Sequence, residues 1–115
     1  MGGRVVPAKC TPLERTIEAA VVRAATRLGV LHTKLNLVGR RGWPDRCFWL
    51  PDGRPLFIEF KRSGLVPTPL QAHTHEQLRA IGYRVEVVDD AAVGVELLED
   101  AHRRALLRRY IDDSA

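Results

Sequence analysis

Between Pro44 and Arg62 the chain reads PDRCFWLPDGRPLFIEFKR, two hydrophobic runs joined by Pro51-Asp52-Gly53. β-branched and aromatic residues on either side of such a turn predict a β-hairpin, with strands over 45–50 and 55–62. Strand alternation then decides which side chains share a face. Leu56, Ile58 and Phe60 fall on one side of the second strand, while Phe57, Glu59 and Lys61 fall on the other. Asp45, Cys47 and Trp49 share parity on the first strand. With Leu56, Ile58 and Phe60 filling a core, Glu59 and Lys61 must point the same way. A carboxylate flanked by Ile58 and Phe60 needs a partner, because a buried charge without one is costly.

The rest of the chain builds around this hairpin. Residues 1–10 read as a short arm. Thr11-Pro12-Leu13-Glu14 reads as a helix start, with Thr11 as N-cap, Pro12 at the first helical position and Glu14 closing a capping box. Ile17, Val21, Ala24 and Leu28 follow at helical spacing until Gly29. A strand is expected over 30–38, followed by a basic loop, Gly39-Arg40-Arg41-Gly42. Thr68-Pro69-Leu70-Gln71 repeats the capping grammar and opens a second helix that ends near Gly82. Residues 83–88 read as a strand, Asp89-Asp90 as turn and N-cap, and 91–111 as helix in one or two pieces. The order α-β-β-β-α-β-α predicts an α/β fold, a mixed sheet flanked by helices. The helical crossover over 68–82 requires the last strand to run parallel to the Glu59 strand.

Composition narrows the function classes. A chain of 115 residues fits a single domain, here residues 11–111. Hydrophobic residues at 45% give it a core and exclude a disordered chain. A net charge of +4, carried mostly by arginine, points to a polyanionic partner, since the guanidinium fork matches phosphate oxygens. Two cysteines, Cys10 and Cys47, at no metal-ligand spacing give neither a disulfide framework nor a zinc site. No apolar run is long enough for a membrane span, and the N-terminus has no signal-peptide core, so a cytoplasmic setting is expected.

Two carboxylates and an amine carried on a hairpin have a specific chemistry. Asp45 and Glu59 repel each other when close, unless a cation lies between them. Hard oxygen ligands suit Mg²⁺ or Mn²⁺. An ammonium beside them, Lys61, orients a water or offsets charge on a phosphate. The residues themselves therefore read as a metal-dependent nuclease. Arg40 and Arg41 stand just before Asp45 as candidate phosphate clamps, with Arg46 and Arg62 as further DNA contacts. His73 and His75 face different directions on one helix and read as surface histidines, while His32 and His102 join no constellation. Trp43 and Trp49 each read as core or as a base-stacking platform, with core favoured for Trp49.

Pro44-Asp45 with Glu59-Phe60-Lys61 resembles the PD-(D/E)XK nuclease superfamily. The fuller set is similar to its virus-type replication-repair nuclease (VRR-NUC) domain: Arg40 to Arg46, Leu56 to Arg62, Thr68 to Gln71, and Leu78 to Tyr83. With the first helix, these pieces span roughly residues 11–90. The resemblance implies Asp45 and Glu59 as metal ligands, the Phe60 carbonyl as a further ligand, and Lys61 as the residue that positions the attacking water. It also implies a first-helix glutamate, Glu18 or alternatively Glu14, and a glutamine, Gln71, at the site. Gln71 and Glu14 each have a capping duty that would explain them without chemistry; Glu18 has none and is preferred. The implied activity is cleavage of DNA, with branched substrates such as flaps and Holliday junctions and, for symmetric cutting, a homodimer. Two other classes fit the same sequence: a DNA-binding module without catalysis, and a small interaction protein of a phage or mobile element.

Overall fold

The computed structural model describes residues 13–114, in the order α1 (Glu14–Leu28), β1 (Leu31–Lys34), β2 (Arg46–Trp49), β3 (Pro55–Phe60), α2 (Pro69–Ala80), β4 (Arg84–Val88) and α3 (Ala91–Ser114). The four strands form one sheet in the order β1-β2-β3-β4. β1, β2 and β3 are antiparallel neighbours, and β4 runs parallel to β3, as the helical crossover requires. β3 therefore lies inside the sheet, which is why Leu56 to Phe60 are buried on both faces.

Two cores flank the sheet. α1 and α3 cover one face, packing Ile17, Val21, Ala24, Leu98, Ala101 and Ala105 over Phe48, Leu56, Ile58 and Phe60. The small residues Ala24, Ala25, Ala101 and Ala105 let these helices approach closely. On the other face α2 brings Leu78 against Cys47, Phe57 and Val85, with Trp43 and Leu35 at the margin. Phe57 also meets Tyr83 edge to face, with ring centroids 5.7 Å apart. Cys47, fully buried, has its thiol pushed up to about 11 by desolvation, so it is an inert packing residue.

Gly94 sits where α3 crosses α1 and β4. A Cβ there would lie 2.7 Å from both Val21 Cγ2 and Val88 Cγ1. Gly94→Val is expected to destabilise the protein by about 2–3 kcal/mol through overpacking. Urea unfolding measures it, and a wild-type midpoint would contradict so close a crossing.

Some boundaries differ from the expectation. β1 ends at Lys34 rather than Val38, because its partner strand begins only at Arg46. Leu35 N–H still donates to the Asp45 carbonyl at 2.9 Å, but the next residue back is Pro44, which cannot continue the ladder. Glu14 is the first residue of α1 and Leu13 its N-cap, so Glu14 closes no box there; Thr11 and Pro12 lie outside the described residues, as does the 1–10 arm. α3 is one uninterrupted helix, capped by Asp90 Oδ1 accepting from Val93 N–H. Trp49 is not core: it is 41% exposed near the edge, with Nε1 donating to Thr33 Oγ1. Among the described residues, no helix is long and apolar enough to cross a membrane.

Candidate active site

Strand pairing carries the site. Arg46 lies opposite Ile58 and Cys47 opposite Phe57, so one step further in the same register sets Asp45 opposite Glu59. Both point to the α2 face, as do Cys47 and Phe57 behind them. Like charges directly across a strand pair are unfavourable. The β2 strand does not avoid the clash; it fixes it in place, because Asp45 Oδ2 accepts the Phe60 backbone N–H at 2.7 Å.

Glu59 is 1% exposed, an extreme position for a carboxylate. Its Oε2 accepts from Gln71 Nε2 at 3.0 Å and lies 3.7 Å from Lys61 Nζ. Its Oε1 faces His75 Nε2 at 3.7 Å, and both of these buried atoms lack a hydrogen-bond partner. Burial, then the Asp45 charge, and more weakly Glu14, push the Glu59 carboxyl up to about 7, against the pull of Lys61. Burial also raises Asp45, with the Phe60 N–H opposing and Glu18 adding to the rise. His75 moves down, from burial and from the cations of Arg79 and Lys61, so its ring is held neutral. Two adjacent carboxyls that both resist ionisation could share a cation.

The helix behind Glu59 begins with the expected box. Thr68 Oγ1 accepts from Gln71 N–H at 3.2 Å, and Gln71 Oε1 accepts from Thr68 N–H at 2.9 Å. Because Gln71 Nε2 simultaneously reaches Glu59, capping and site duty are not alternatives: one end of the amide does each. Gly42 positions the approach to Asp45, with φ +83° and a missing Cβ that would sit 2.9 Å from the Leu70 side chain and carbonyl. The basic loop is thereby pressed against α2.

Other expected residues divide clearly. Glu18 is paired with Arg46 Nε and lies 4.0 Å from Lys34 Nζ, while its charge still reaches Asp45. Glu14, half-buried one turn earlier, reaches Glu59 instead. Arg46, expected as a DNA contact, has a side chain 18% exposed that pairs with Glu18 and, through Nη1, with His32 Nδ1 at 3.2 Å. His32 thus has a partner that the sequence did not indicate. Arg40 and Arg41 are exposed and Arg62 half-exposed, none with a carboxylate partner among the described residues. His73 is exposed, but His75 is 1% exposed and at the centre of the site, the opposite of the surface position expected for it. Its signal was present in α2: Gln71, Thr74, His75 and Leu78 recur at i, i+3, i+4 and i+7, the spacing of a buried stripe.

The chain is similar to known proteins. No family model matches the chain. The candidate nuclease p44 of Acyrthosiphon pisum secondary endosymbiont phage 1 is 41% identical over 76 residues, covering 66% of this chain and 82% of p44. A solved structure described as a VRR_NUC domain superposes with a TM-score of 0.69 at 33% identity, over 75% of this chain and 94% of that one. The chain belongs to the VRR-NUC family. It is a nuclease domain with a mixed four-stranded sheet and three helices.

In this VRR-NUC domain the site residues fit a hard divalent cation. Asp45 and Glu59 could supply oxygen ligands, and Glu59 Oε1 is buried without a hydrogen-bond partner. Among the described residues no three His, Cys, Asp or Glu side chains cluster closely enough to cage a metal by themselves. That sparseness suits Mg²⁺, which keeps several waters and completes its shell with substrate phosphates. Lys61, whose side chain is 12% exposed, stands at the rim between the buried carboxylate and solvent, where an ammonium can hold a water or a phosphate oxygen.

Proposed function

We propose that this domain is a Mg²⁺- or Mn²⁺-dependent DNA endonuclease, and the observation that carries the reading is the cross-strand pair of Asp45 and buried Glu59 with Lys61 beside it. Asp45, Glu59 and the Phe60 carbonyl would hold the cation, with Glu18, or alternatively Glu14, contributing from α1. When bound, the cation lowers the pKa of a coordinated water and offsets charge developing on the phosphate. Lys61, beside Glu59 at the rim, would position the attacking water. Gln71 fixes the Glu59 carboxylate by its Nε2–H. Arg40, Arg41 and Arg62 bind the DNA backbone with an affinity that falls as salt rises.

The substrate is branched DNA, such as flaps or four-way junctions, in the cytoplasm of a bacterial or phage-infected cell. The reading is supported by the exposed Arg40 and Arg41, whose guanidinium groups suit phosphate oxygens. Symmetric cutting of a junction needs two active sites, so the active form is a homodimer.

One experiment tests this. Purified protein is incubated with linear, flapped and four-way-junction DNA in Mg²⁺, Mn²⁺ or EDTA. Cleavage is expected in both metals, fastest on a branched substrate, and none in EDTA. Binding without products in any metal would replace the reading with a non-catalytic DNA-binding module. Equal cleavage in EDTA would remove the cation from it.

A further inference from the structure

We propose that His75 is a positioning residue for Glu59, donating Nε2–H to Oε1 so that the carboxylate plane is fixed with its free lone pairs toward Asp45. The inference rests on the reading of Glu59 as a cation ligand and deepens it. His75 and Gln71 lie one helical turn apart on the same face of α2. Gln71 already holds Oε2 at 3.0 Å. His75 Nε2 stands 3.7 Å from Oε1, and these two atoms are the buried side-chain polar atoms left without a hydrogen-bond partner among the described residues. Each is thus the complement the other needs: a ring nitrogen that can carry a proton and a carboxyl oxygen that can accept one. Leaving both unmade in so dry a place is costly, and a small side-chain rotation closes the gap.

A direct ligand role for the ring fits less well. Mg²⁺ prefers oxygen to imidazole, and His75 lies behind Glu59, buried under α2 rather than at the rim where Lys61 meets solvent. A pure packing role does not account for the ring either, since an aliphatic side chain would fill the space without burying a polar nitrogen. With Gln71, the histidine makes a two-pronged clamp that holds both Glu59 oxygens from one helix. Outer hydrogen bonds of this kind orient a ligand carboxylate and raise metal affinity.

The test uses the full-length protein and the variants His75→Gln, whose amide nitrogen can reach where Nε2 stands, His75→Leu and Glu59→Gln. In the metal-free protein at pH 8.5, where Glu59 is largely ionised, imidazole ¹⁵N NMR is expected to find the His75 proton on Nε2, with a resonance that moves in Glu59→Gln. In calorimetric titration with Mn²⁺, His75→Leu is expected to bind about tenfold or more weakly, and His75→Gln within about threefold of wild type. Melting temperatures confirm that each variant is folded. A proton on Nδ1 with Nε2 bare would overturn the proposal. So would wild-type Mn²⁺ affinity in His75→Leu, or equal losses in folded Gln and Leu variants. If the wild type itself bound no Mn²⁺, the cation site would fall, while the ring-proton measurement, made without metal, would still decide the His75–Glu59 contact. If His75→Leu failed to fold, the Gln variant and the ring proton would carry the decision.

Discussion

Asp45→Asn, Glu59→Gln and Lys61→Met are each expected to lower Mg²⁺-dependent DNA cleavage by about a thousandfold or more, while the protein stays folded. The reason is that each removes one member of a charge constellation that acts as a unit. Asparagine and glutamine keep the shape of the site and its hydrogen bonds to Phe60 N–H and Gln71, but they cannot share a divalent cation as carboxylates do. Double variants should be little worse than single ones, since the second change removes a partner that no longer functions. Single-turnover cleavage, with circular dichroism as the folding control, measures both points. A variant at any of the three positions that cut at the wild-type rate would take that residue out of the site.

The second large effect is on stability, and its sign is unusual for a carboxylate. Glu59 titrates at about 7 in the folded protein against 4.5 for the free side chain. Between those values the folded protein keeps a proton that the unfolded chain has released, so stability falls as pH rises through that window. The Glu59 contribution is fully present below pH 4.5 and is lost by about pH 7, an effect of about 3 kcal/mol. Asp45 acts in the same direction, and the depressed His75 acts in the opposite one below its free value of 6.5. Comparison with Glu59→Gln at each pH isolates the Glu59 part. The metal-free variant is expected to unfold at higher urea than wild type at pH 8 and at nearly the same urea at pH 4.5. Saturating Mg²⁺ should restore the wild type at pH 8 and leave Glu59→Gln nearly unmoved. A wild-type protein equally stable at the two pH values, relative to the variant, would show that Glu59 is not held as the geometry indicates. A substitution that abolishes cleavage while stabilising the fold is the signature of a residue kept for chemistry.

Much of this site was legible because strand alternation is rigid. Glu59 and Lys61 share a face whatever surrounds them, and a buried central strand between helices follows from the order of elements and the parallel crossover. Thr68 and Gln71 announced the start of α2 through a local hydrogen-bond pattern that needs no tertiary context. The failures have one cause: they concern side chains whose surroundings come from distant segments. His75 was misread because the inward stripe of α2 is polar at Gln71, Thr74 and His75, and a search for apolar periodicity passes over it. The Arg46–Glu18 pair, across 28 residues of chain, likewise had no local signal. Trp49 read as core because nothing local revealed that α2 leaves that corner of the sheet uncovered. β1 was drawn too long because its apolar residues Leu35, Leu37 and Val38 suggested a strand, whereas strand length is set by the partner, and Pro44 ends the pairing. The choice between Glu14 and Glu18 stays a matter of which carboxylate each one faces: Glu14 acts on Glu59, Glu18 on Asp45 and Arg46.

The central claim is that Asp45 and Glu59 are kept side by side for a divalent cation. Calorimetric titration of Mn²⁺ into the metal-free protein at pH 7.5, beside Glu59→Gln, measures this without any substrate. The wild type should bind with saturable heat and release a fraction of a proton, seen as a dependence of the heat on the buffer used, and the variant should bind about a hundredfold more weakly or not at all. Absence of Mn²⁺ binding in the wild type, or equal binding in the variant, would contradict the account.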